Sequence, residues 1–379
     1  MDIKYMLACI FMSMSSAKHE HTAIFRRKMN GLRMFSSILK VRSTKNRRQA
    51  HLSGNSYDYI RKKNTGDAMK TWGEKPYRSL DYHLRERYGE KVYKVSLNGN
   101  MTCPNRDGTL GSRGCIFCSA GGSGDFAGDA SLSVTEQIER QKTGILRKFP
   151  AKRFIAYFQA YTNTYAPVDY LERIFSEALS HPDVVGLSIG TRPDCLPADV
   201  LELLAELNQK KPVSVELGLQ TIHEKTASFI RRGYPLSCFD EAVKNLRKAR
   251  LEVIVHTILG LPGESRKEIL ETISYLNHSD IQGIKLQLLH VLKGTDLADY
   301  YHSPGFPVMT QDEYVDLVIA CLERLSPDIT IHRLTGDGPK DLLIAPLWSA
   351  RKTAVLNQIH HEMKIRHTWQ GRCHEAKEA

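Results

Sequence analysis

Short apolar runs alternate with longer amphipathic segments from about residue 91 to the end of the chain. Segments such as SVTEQIERQKTGILRKF and SRKEILETISYLNH repeat their apolar residues at helical spacing. The apolar runs are KVYKVSLN, RFIAYFQ, DVVGLSIG, VSVELGLQ, EVIVHTILG, GIKLQLLH and DITIHRL. Strands that are apolar on both faces and alternate with helices are typical of a parallel sheet built from βαβ units.

This alternation predicts an α/β fold with a partial TIM-like barrel of six βα units over residues 69–345. A doubly wound open sheet is the alternative, because periodicity alone does not show whether a sheet closes. A helix is expected to begin near Trp348, so that residues 346–379 form a C-terminal basic helix and tail. In a barrel of this kind, chemistry takes place at the carboxyl ends of the strands.

The positive charge of the chain is concentrated at one end. Residues 1–70 hold 15 lysines and arginines against 4 acidic residues, which equals the whole chain's net charge of +11. The remainder is neutral, so the overall charge is weak support for nucleic-acid binding. A second basic stretch contains Arg351, Lys352 and Trp369 and is a candidate surface for a polyanion such as RNA. A solvated helix face is the simpler interpretation of the same charges.

Residues 1–68 are predicted to be a disordered basic tail, or the product of a start codon set too far upstream of Met69. Residues 24–48 are rich in arginine and serine and lack acidic residues, which would also suit an organellar presequence. The apolar run YMLACIFM is too short to span a bilayer, so no membrane association is expected. Single scattered cysteines favour a reducing compartment, and a cytoplasmic location is expected.

Three of the eight cysteines lie close together in the glycine-rich segment CPNRDGTLGSRGCIFCSAGGSGDF. Cys103, Cys115 and Cys118 have the spacing C-x11-C-x2-C. A structural zinc site needs four ligands, so zinc would require a remote fourth residue, and this remains one interpretation. A 4Fe-4S cluster held by three thiolates is the other, since its fourth iron stays open for the amine and carboxylate of an amino acid.

The cysteine loop and a series of later motifs together resemble the radical S-adenosylmethionine (SAM) enzymes. The family's loop after the first barrel strand is C-x3-C-x2-C, and here eight more residues separate the first two cysteines. This lengthening resembles the Elongator catalytic subunit and, more closely, the YhcC/YtqA-type radical SAM proteins. The likeness covers about residues 70–372. It is carried by YHLRERYGEKVYKVSLNGNMTCPNRDGT, GCIFCSAGGSGDF, YFQAYTNTYAP, GLSIGTRPDCL, VELGLQTIHEKT, HTILGLPGES and LIAPLWSARKTAVLNQI.

The resemblance implies that Cys103, Cys115 and Cys118 hold a 4Fe-4S cluster and that SAM lies across the strand ends. The residues implied to contact SAM are Gln159, Tyr161, Thr162, Ser188, Arg192, Glu216 and Gln220. Two of them have structural alternatives. Arg192 could pair with Asp194, and Glu216 could form an ion pair inside the barrel, with Arg231 or Arg232 available.

In activity, the resemblance implies one-electron cleavage of SAM to a 5′-deoxyadenosyl radical that abstracts hydrogen from a substrate. A flavodoxin or ferredoxin would supply the electron, and kinship to the Elongator subunit indicates modification of the wobble uridine of tRNA. Arg351, Lys352 and Trp369 would then contact the RNA. Two alternatives remain: a radical SAM enzyme acting on a small metabolite, and a non-enzymatic zinc-stabilised RNA-binding protein.

Overall fold

The computed structural model describes residues 68–374, except residues 304 and 337. The basic extension predicted for residues 1–68 therefore lies outside the described residues, apart from Ala68. The final residues of the predicted C-terminal tail, 375–379, lie outside them as well.

Seven parallel strands form one sheet in the order β1-β2-β3-β4-β5-β6-β8. A doubly wound sheet reverses its strand order at a switch point, whereas this order runs in one direction only. Right-handed crossovers then place the helices on one face, and the other face lines the interior of a curved half-barrel. The strands are β1 (Val92–Leu97), β2 (Arg153–Phe158), β3 (Val184–Thr191), β4 (Val213–Gln220), β5 (Glu252–Leu259), β6 (Gly283–Leu288) and β8 (Thr330–Arg333).

Helices connect the strands and cover the outer face of the sheet. They are α1 (Leu80–Tyr88), α2 (Val134–Leu146), α3 (Val168–Ser180), α4 (Ala198–Lys210), α5 (Glu224–Phe229), α6 (Leu236–Lys248), α7 (Arg266–Asn277), α8 (Asp296–His302), α9 (Gln311–Arg324) and α10 (Lys352–Ile365). Three of them, α2, α7 and α9, begin with a capping box, in which a Ser or Thr and a Glu three residues later satisfy the first free backbone N–H groups. The predicted α/β half-barrel with a C-terminal helix is confirmed.

The main hydrophobic core lies between the sheet and these helices. Phe158 at the end of β2 and Phe175 of α3 are fully buried there, with their rings in an edge contact 5.0 Å apart. The inner face of the half-barrel contains several polar residues instead, among them Ser188, Glu216 and Lys285. Polar groups are costly to bury without hydrogen-bond partners, so these residues must have partners inside the half-barrel. This makes the inner face the candidate functional surface.

A second, two-stranded antiparallel sheet pairs β7 (Val291–Leu292) with β9 (Leu343–Ala345) next to the carboxyl end of β6. Its strand β9 lies between the last barrel strand, β8, and α10. Within the described residues, no helix combines the length and the apolar character needed to cross a membrane.

Candidate functional site

A cavity of about 710 Å³ opens at the carboxyl ends of the barrel strands. Cys103, Cys115 and Cys118 all line it, although the first two are far apart in sequence. All three are free thiols that are partly exposed. The rest of the wall comes from the ends of β1 to β6 and from the segment between β8 and α10.

The insert between Cys103 and Cys115 folds back on itself and so brings its two ends together. The N–H of Gly114 donates to the carbonyl of Asn105 at 2.7 Å, which joins the residue before Cys115 to a residue just after Cys103. The N–H of Leu110 also donates to the carbonyl of Pro104 at 2.8 Å. The lengthened spacing therefore adds a compact lobe whose residues Arg106 and Gly114 line the cavity together with the three thiols.

Side chains then fasten this cysteine loop to the barrel. The Asn105 amide donates to the carbonyl of Arg231 at 2.7 Å and lies 3.4 Å from the Cys115 sulfur. Arg106 donates to the carbonyls of Cys118 and Ser119 at 3.0 and 2.6 Å. These bonds hold the two halves of the loop in one arrangement before any ligand is bound.

The donor set fits an iron–sulfur cluster. Burial raises the pKa of the Cys115 thiol to about 12 and also raises that of Cys118, so nearby positive charge is needed to form their thiolates. Among residues 68–374, no three Cys, His, Asp or Glu side chains converge as ligands of one metal ion. A 4Fe-4S cluster does not require such convergence, because each thiolate binds a different iron.

The segment after β2, which contains Gln159, Tyr161 and Thr162, lies directly against the cysteine loop. The N–H of Thr162 donates to the carbonyl of Thr102, the residue before Cys103, at 3.2 Å. The Tyr161 hydroxyl donates to the carbonyl of Ala120 at 2.6 Å. A β-carbon on Gly122 would lie 2.2 Å from the Tyr161 ring, so only glycine allows this close contact.

Gln159 directly follows β2 and contacts both β1 and the end of the cysteine loop. Its amide donates to the carbonyl of Ser123 at 2.7 Å, and its side-chain oxygen accepts from the Ser96 hydroxyl at 3.2 Å. Gln159, Tyr161 and Thr162 all line the cavity. The structure thus gathers all three next to the cysteines.

Arg192, at the end of β3, also lines the cavity and is held by a carboxylate. Its guanidinium forms a two-point ion pair with Asp194, at 2.9 and 2.7 Å. A further N–H donates to the carbonyl of Arg232 at 3.0 Å. The pairing with Asp194 that the sequence suggested is present, and the arginine still faces the cavity.

Glu216 of β4 is fully buried inside the half-barrel and has four side-chain partners. One oxygen accepts from Lys94 at 2.6 Å and Ser188 at 2.8 Å, and the other accepts from His256 at 2.7 Å and from Lys285. Burial lowers the pKa of His256 to about 4, so its imidazole is neutral at pH 7 and donates its Nε2–H to the carboxylate.

The arginine partners that the sequence suggested for Glu216 are wrong. Arg231 pairs with Asp296, and Arg232 pairs with Glu224 at 3.0 Å. Both arginines lie in the loop after α5, whereas the lysines that contact Glu216 lie on barrel strands. Gln220, on the same strand, lies beyond a break in the pairing with β5 and adopts a positive φ of 64°, yet it still lines the cavity with Glu216.

Three polar residues inside the half-barrel were missed from the sequence: Lys94, and the cavity-lining Lys285 and Tyr157. Lys285 is 5% exposed, and its ammonium donates to the Tyr157 hydroxyl at 3.1 Å. A signal was present, because VYKVS and GIKLQL each place a single lysine inside an otherwise apolar strand. A buried lysine needs a counter-charge, and Glu216, which supplies it, lies on β4, a strand adjacent to neither β1 nor β6.

The predicted RNA-contact residues are not brought together. Lys352 begins α10 and lines the cavity, whereas Arg351 is exposed beside it and does not. Trp369 follows the other end of α10, a helix of 14 residues that spans about 21 Å. The next residue, Gln370, donates to the carbonyl of Ile329 at 2.8 Å, just before β8 begins. Trp369 therefore lies towards the amino ends of the strands, away from the cavity.

Comparison with known proteins identifies the family. Residues 108–276 match the radical SAM superfamily, and residues 281–365 match the radical SAM C-terminal domain. The chain is 48% identical to the protein YtqA of Bacillus subtilis (strain 168) over 299 residues, which are 79% of this chain and 93% of YtqA. The chain belongs to the radical SAM superfamily. This membership decides against the non-enzymatic zinc-protein interpretation, because the superfamily consists of enzymes.

One further relative and one solved structure are similar to this radical SAM protein. It is 40% identical to the protein YhcC of Escherichia coli (strain K12) over 266 residues, covering 70% of this chain and 85% of YhcC. Its fold resembles that of the archaeal Methanocaldococcus infernus Elp3, with a TM-score of 0.58 and 16% identity. That match covers 74% of this chain and 64% of the Elp3 chain, and it shows the shared fold alone. The predicted family is confirmed.

The substitution Glu216→Gln should destabilise this radical SAM protein in a pH-dependent manner. It leaves Lys94 and Lys285 without their shared counter-charge, and breaking a buried ion pair costs about 3–5 kcal/mol. Burial alone would raise the pKa of Glu216, but the charges of Lys285 and Lys94 outweigh it and hold this pKa well below its usual range. The carboxylate therefore stabilises the fold above pH about 4 and loses that effect as the pH falls towards the lowered pKa.

Urea unfolding at pH 7 and at stepwise lower pH measures this effect. The difference in free energy of unfolding between wild type and Glu216→Gln should be largest at pH 7 and shrink under acid conditions. The matched control is Glu252→Gln, because Glu252 forms a half-exposed ion pair with Arg87 and should cost less than about 1 kcal/mol. Equal losses in the two variants would contradict the role of Glu216.

Proposed function

We propose that Cys103, Cys115 and Cys118 hold a 4Fe-4S cluster, and that SAM binds in the cavity beside them. The observation that carries this proposal is that all three thiols line one cavity at the carboxyl ends of the strands, despite their wide spacing in sequence. When bound, the cluster would deliver one electron to SAM, and the 5′-deoxyadenosyl radical that results would abstract a hydrogen atom from the substrate.

The protein's own part is to position SAM and exclude water. Gln159, Tyr161 and Thr162 lie next to the cysteine loop, which suits contact with the amino-acid end of SAM. Asp194 fixes the plane of Arg192, so that its guanidinium can meet a carboxylate in a defined orientation. Glu216 and Gln220 also line the cavity, where they would meet the ribose. Ser188 is fully buried, donates to Glu216 and does not line the cavity, so it would act only through that carboxylate.

Glu216 could contact the ribose of SAM only by giving up one of its present hydrogen-bond partners. Its two oxygens already accept four hydrogen bonds, from two lysines, a serine and a histidine. We therefore assign it first to holding Lys94 and Lys285 in place.

For the substrate, we propose the wobble uridine of tRNA. Support comes from the resemblance to the Elongator subunit and from Lys352, which places a basic residue at the cavity rim. Arg351 is exposed next to it and could contact the RNA backbone, and Trp369 could do so only for a substrate that reaches along α10. A flavodoxin or ferredoxin would supply the electron.

A small metabolite is the second candidate substrate. It is favoured by the neutral net charge of residues 71–379 and by the limited volume of the cavity. The two candidates share the same cluster chemistry and differ in what enters the cavity.

The substitution Cys115→Ala should abolish SAM cleavage. After anaerobic reconstitution with iron and sulfide, the wild-type protein should bind about four irons per chain and form 5′-deoxyadenosine with dithionite. Cys115→Ala should lose most of its iron and form no nucleoside, because one ligand of the cluster is missing. Cys373→Ala is the matched control, since Cys373 is exposed and does not line the cavity, and it should behave as the wild type does. Stoichiometric zinc and no nucleoside in the wild type would contradict the proposal.

Loss of the protein in its host should change one modified uridine at the wobble position of tRNA. Mass spectrometry of nucleosides from digested tRNA would show the change, and it should be reversed by the wild-type gene but not by Cys115→Ala. An unchanged tRNA profile, with SAM cleavage intact in vitro, would contradict the tRNA substrate and favour the small metabolite.

A further inference from the structure

Two polar residues of the insert between Cys103 and Cys115 reach back to the cysteines. The N–H of Arg106 donates to the carbonyl of Cys103 at 2.7 Å, so the chain turns sharply as it leaves the first cysteine. After this turn, the side chain of Asn105 contacts Cys115 and that of Arg106 contacts Cys118. The insert therefore does more at the cysteine site than set the spacing of the three thiols.

Asn105 places an N–H group beside the Cys115 sulfur. It is 5% exposed, and its Nδ2 atom lies 3.4 Å from Cys115 Sγ. The same nitrogen lies 2.7 Å from the carbonyl oxygen of Arg231 and 3.4 Å from that of Arg232. Carbonyl oxygens only accept hydrogen bonds, so the NH2 group of Asn105, and not its side-chain oxygen, must face this corner. The backbone thus fixes the orientation of a donor that points at the sulfur.

The loop after α5 is strained in the conformation that holds Asn105. Arg231 is not a glycine, yet it has a φ of 58°, in the left-handed region that residues with a β-carbon disfavour. Its carbonyl accepts from the Asn105 amide and also from Cys115 as a thiol, the latter at 3.5 Å. A thiolate that binds iron has no proton to donate, so Asn105 then remains as the link between this sulfur and this carbonyl. Backbone strain is often kept where a functional site requires it.

Arg106 brings a positive charge to Cys118. Its guanidinium donates to the carbonyls of Cys118 and Ser119 at 3.0 and 2.6 Å, and it lines the cavity with the cysteines. A β-carbon on Gly114 would lie 2.9 Å from Arg106 Nε, so glycine at this position makes room for the arginine. Burial raises the pKa of the Cys118 thiol, and the charge and hydrogen bonding of Arg106 oppose that rise. Arg106 therefore favours negative charge on the Cys118 sulfur.

Both contacts act on the charge that an iron–sulfur cluster gains when it is reduced. One-electron reduction adds a negative charge, part of which falls on the ligand sulfurs. An N–H donor or a cation beside a sulfur stabilises the reduced form more than the oxidised form. Hydrogen bonds to the sulfurs and net charge are accordingly among the factors that set the reduction potential of such clusters. Burial strengthens both effects, because the local dielectric constant is lower than that of water.

We propose that Asn105 and Arg106 raise the reduction potential of the cluster, through a hydrogen bond to Cys115 and a positive charge beside Cys118. This inference rests on the proposed function, because it concerns the cluster assigned there. Both are positioning residues, since in this role they act through the ligand sulfurs and not on the substrate. The insert then has a second effect, which is to make the cluster easier to reduce for an electron donor of limited reducing power.

The test is the midpoint potential of the full, cluster-loaded protein, measured without SAM by a redox titration with dithionite and mediator dyes. Asn105→Leu keeps the size of the side chain, and Arg106→Gln removes the charge. Each should lower the equilibrium constant for reduction about threefold to tenfold, where tenfold corresponds to 59 mV for one electron. Arg106→Lys keeps the charge and should restore most of the potential. Arg113→Gln is the matched control and should leave the potential unchanged, because Arg113 belongs to the same insert but is 69% exposed, pairs with Asp296 and does not line the cavity.

A second measurement detects the hydrogen bond itself. Electron–nuclear double resonance of the reduced protein, compared in ordinary and deuterated water, reports exchangeable protons that are coupled to the cluster. Asn105→Leu should lose one such coupling that the wild type shows, whereas Arg113→Gln should keep it. A merely structural role of Asn105 would leave this coupling in place, and that result would overturn the proposal for Asn105.

The outcomes separate this inference from the proposed function. Unchanged potentials in Asn105→Leu and Arg106→Gln, or equal shifts in Arg106→Gln and Arg106→Lys, would overturn the inference alone. If Asn105→Leu loses its cluster, the comparison of the two Arg106 variants still decides the inference. A wild-type protein that binds no 4Fe-4S cluster would overturn both. Potentials that shift as expected in a protein that forms no 5′-deoxyadenosine would support the inference and contradict the proposed cleavage of SAM.

Discussion

The buried carboxylate of Glu216 connects most of the strands of the half-barrel. It lies on β4 and binds Lys94 of β1, Ser188 of β3, His256 of β5 and Lys285 of β6. Lys285 in turn donates to Tyr157, which brings in β2. A curved sheet with an open side lacks the hydrogen bonds that close a full barrel, so polar contacts across its interior help to fix its curvature. The same contacts set the positions of His256, Lys285 and Tyr157, which line the cavity.

The sequence predicted the parallel half-barrel and the location of the cavity at the carboxyl ends of the strands. It predicted the partners of individual side chains less well. Apolar runs alternating with amphipathic helices specify a parallel sheet, because only that arrangement buries both faces of each strand. Partners such as Lys94 and Lys285 depend on the register between strands that are distant in sequence, which periodicity does not encode. Arginines near Glu216 in sequence were therefore expected in place of lysines that are near it in space.

The cysteine loop shows the same limit in another form. Its spacing indicated three ligands of one cluster, but not how a long insert could keep Cys103 beside Cys115. The structure supplies the reason, since backbone bonds such as the one from Gly114 to Asn105 close the insert on itself.

Electron paramagnetic resonance of the reduced, reconstituted protein tests the cluster assignment most directly, because it observes the cluster itself. Three cysteine ligands leave one iron open, so the protein should give the signal of a reduced 4Fe-4S cluster, and adding SAM should shift that signal as the fourth iron gains a ligand. A cluster signal that SAM leaves unchanged, or the absence of any cluster signal, would contradict the assignment of Cys103, Cys115 and Cys118.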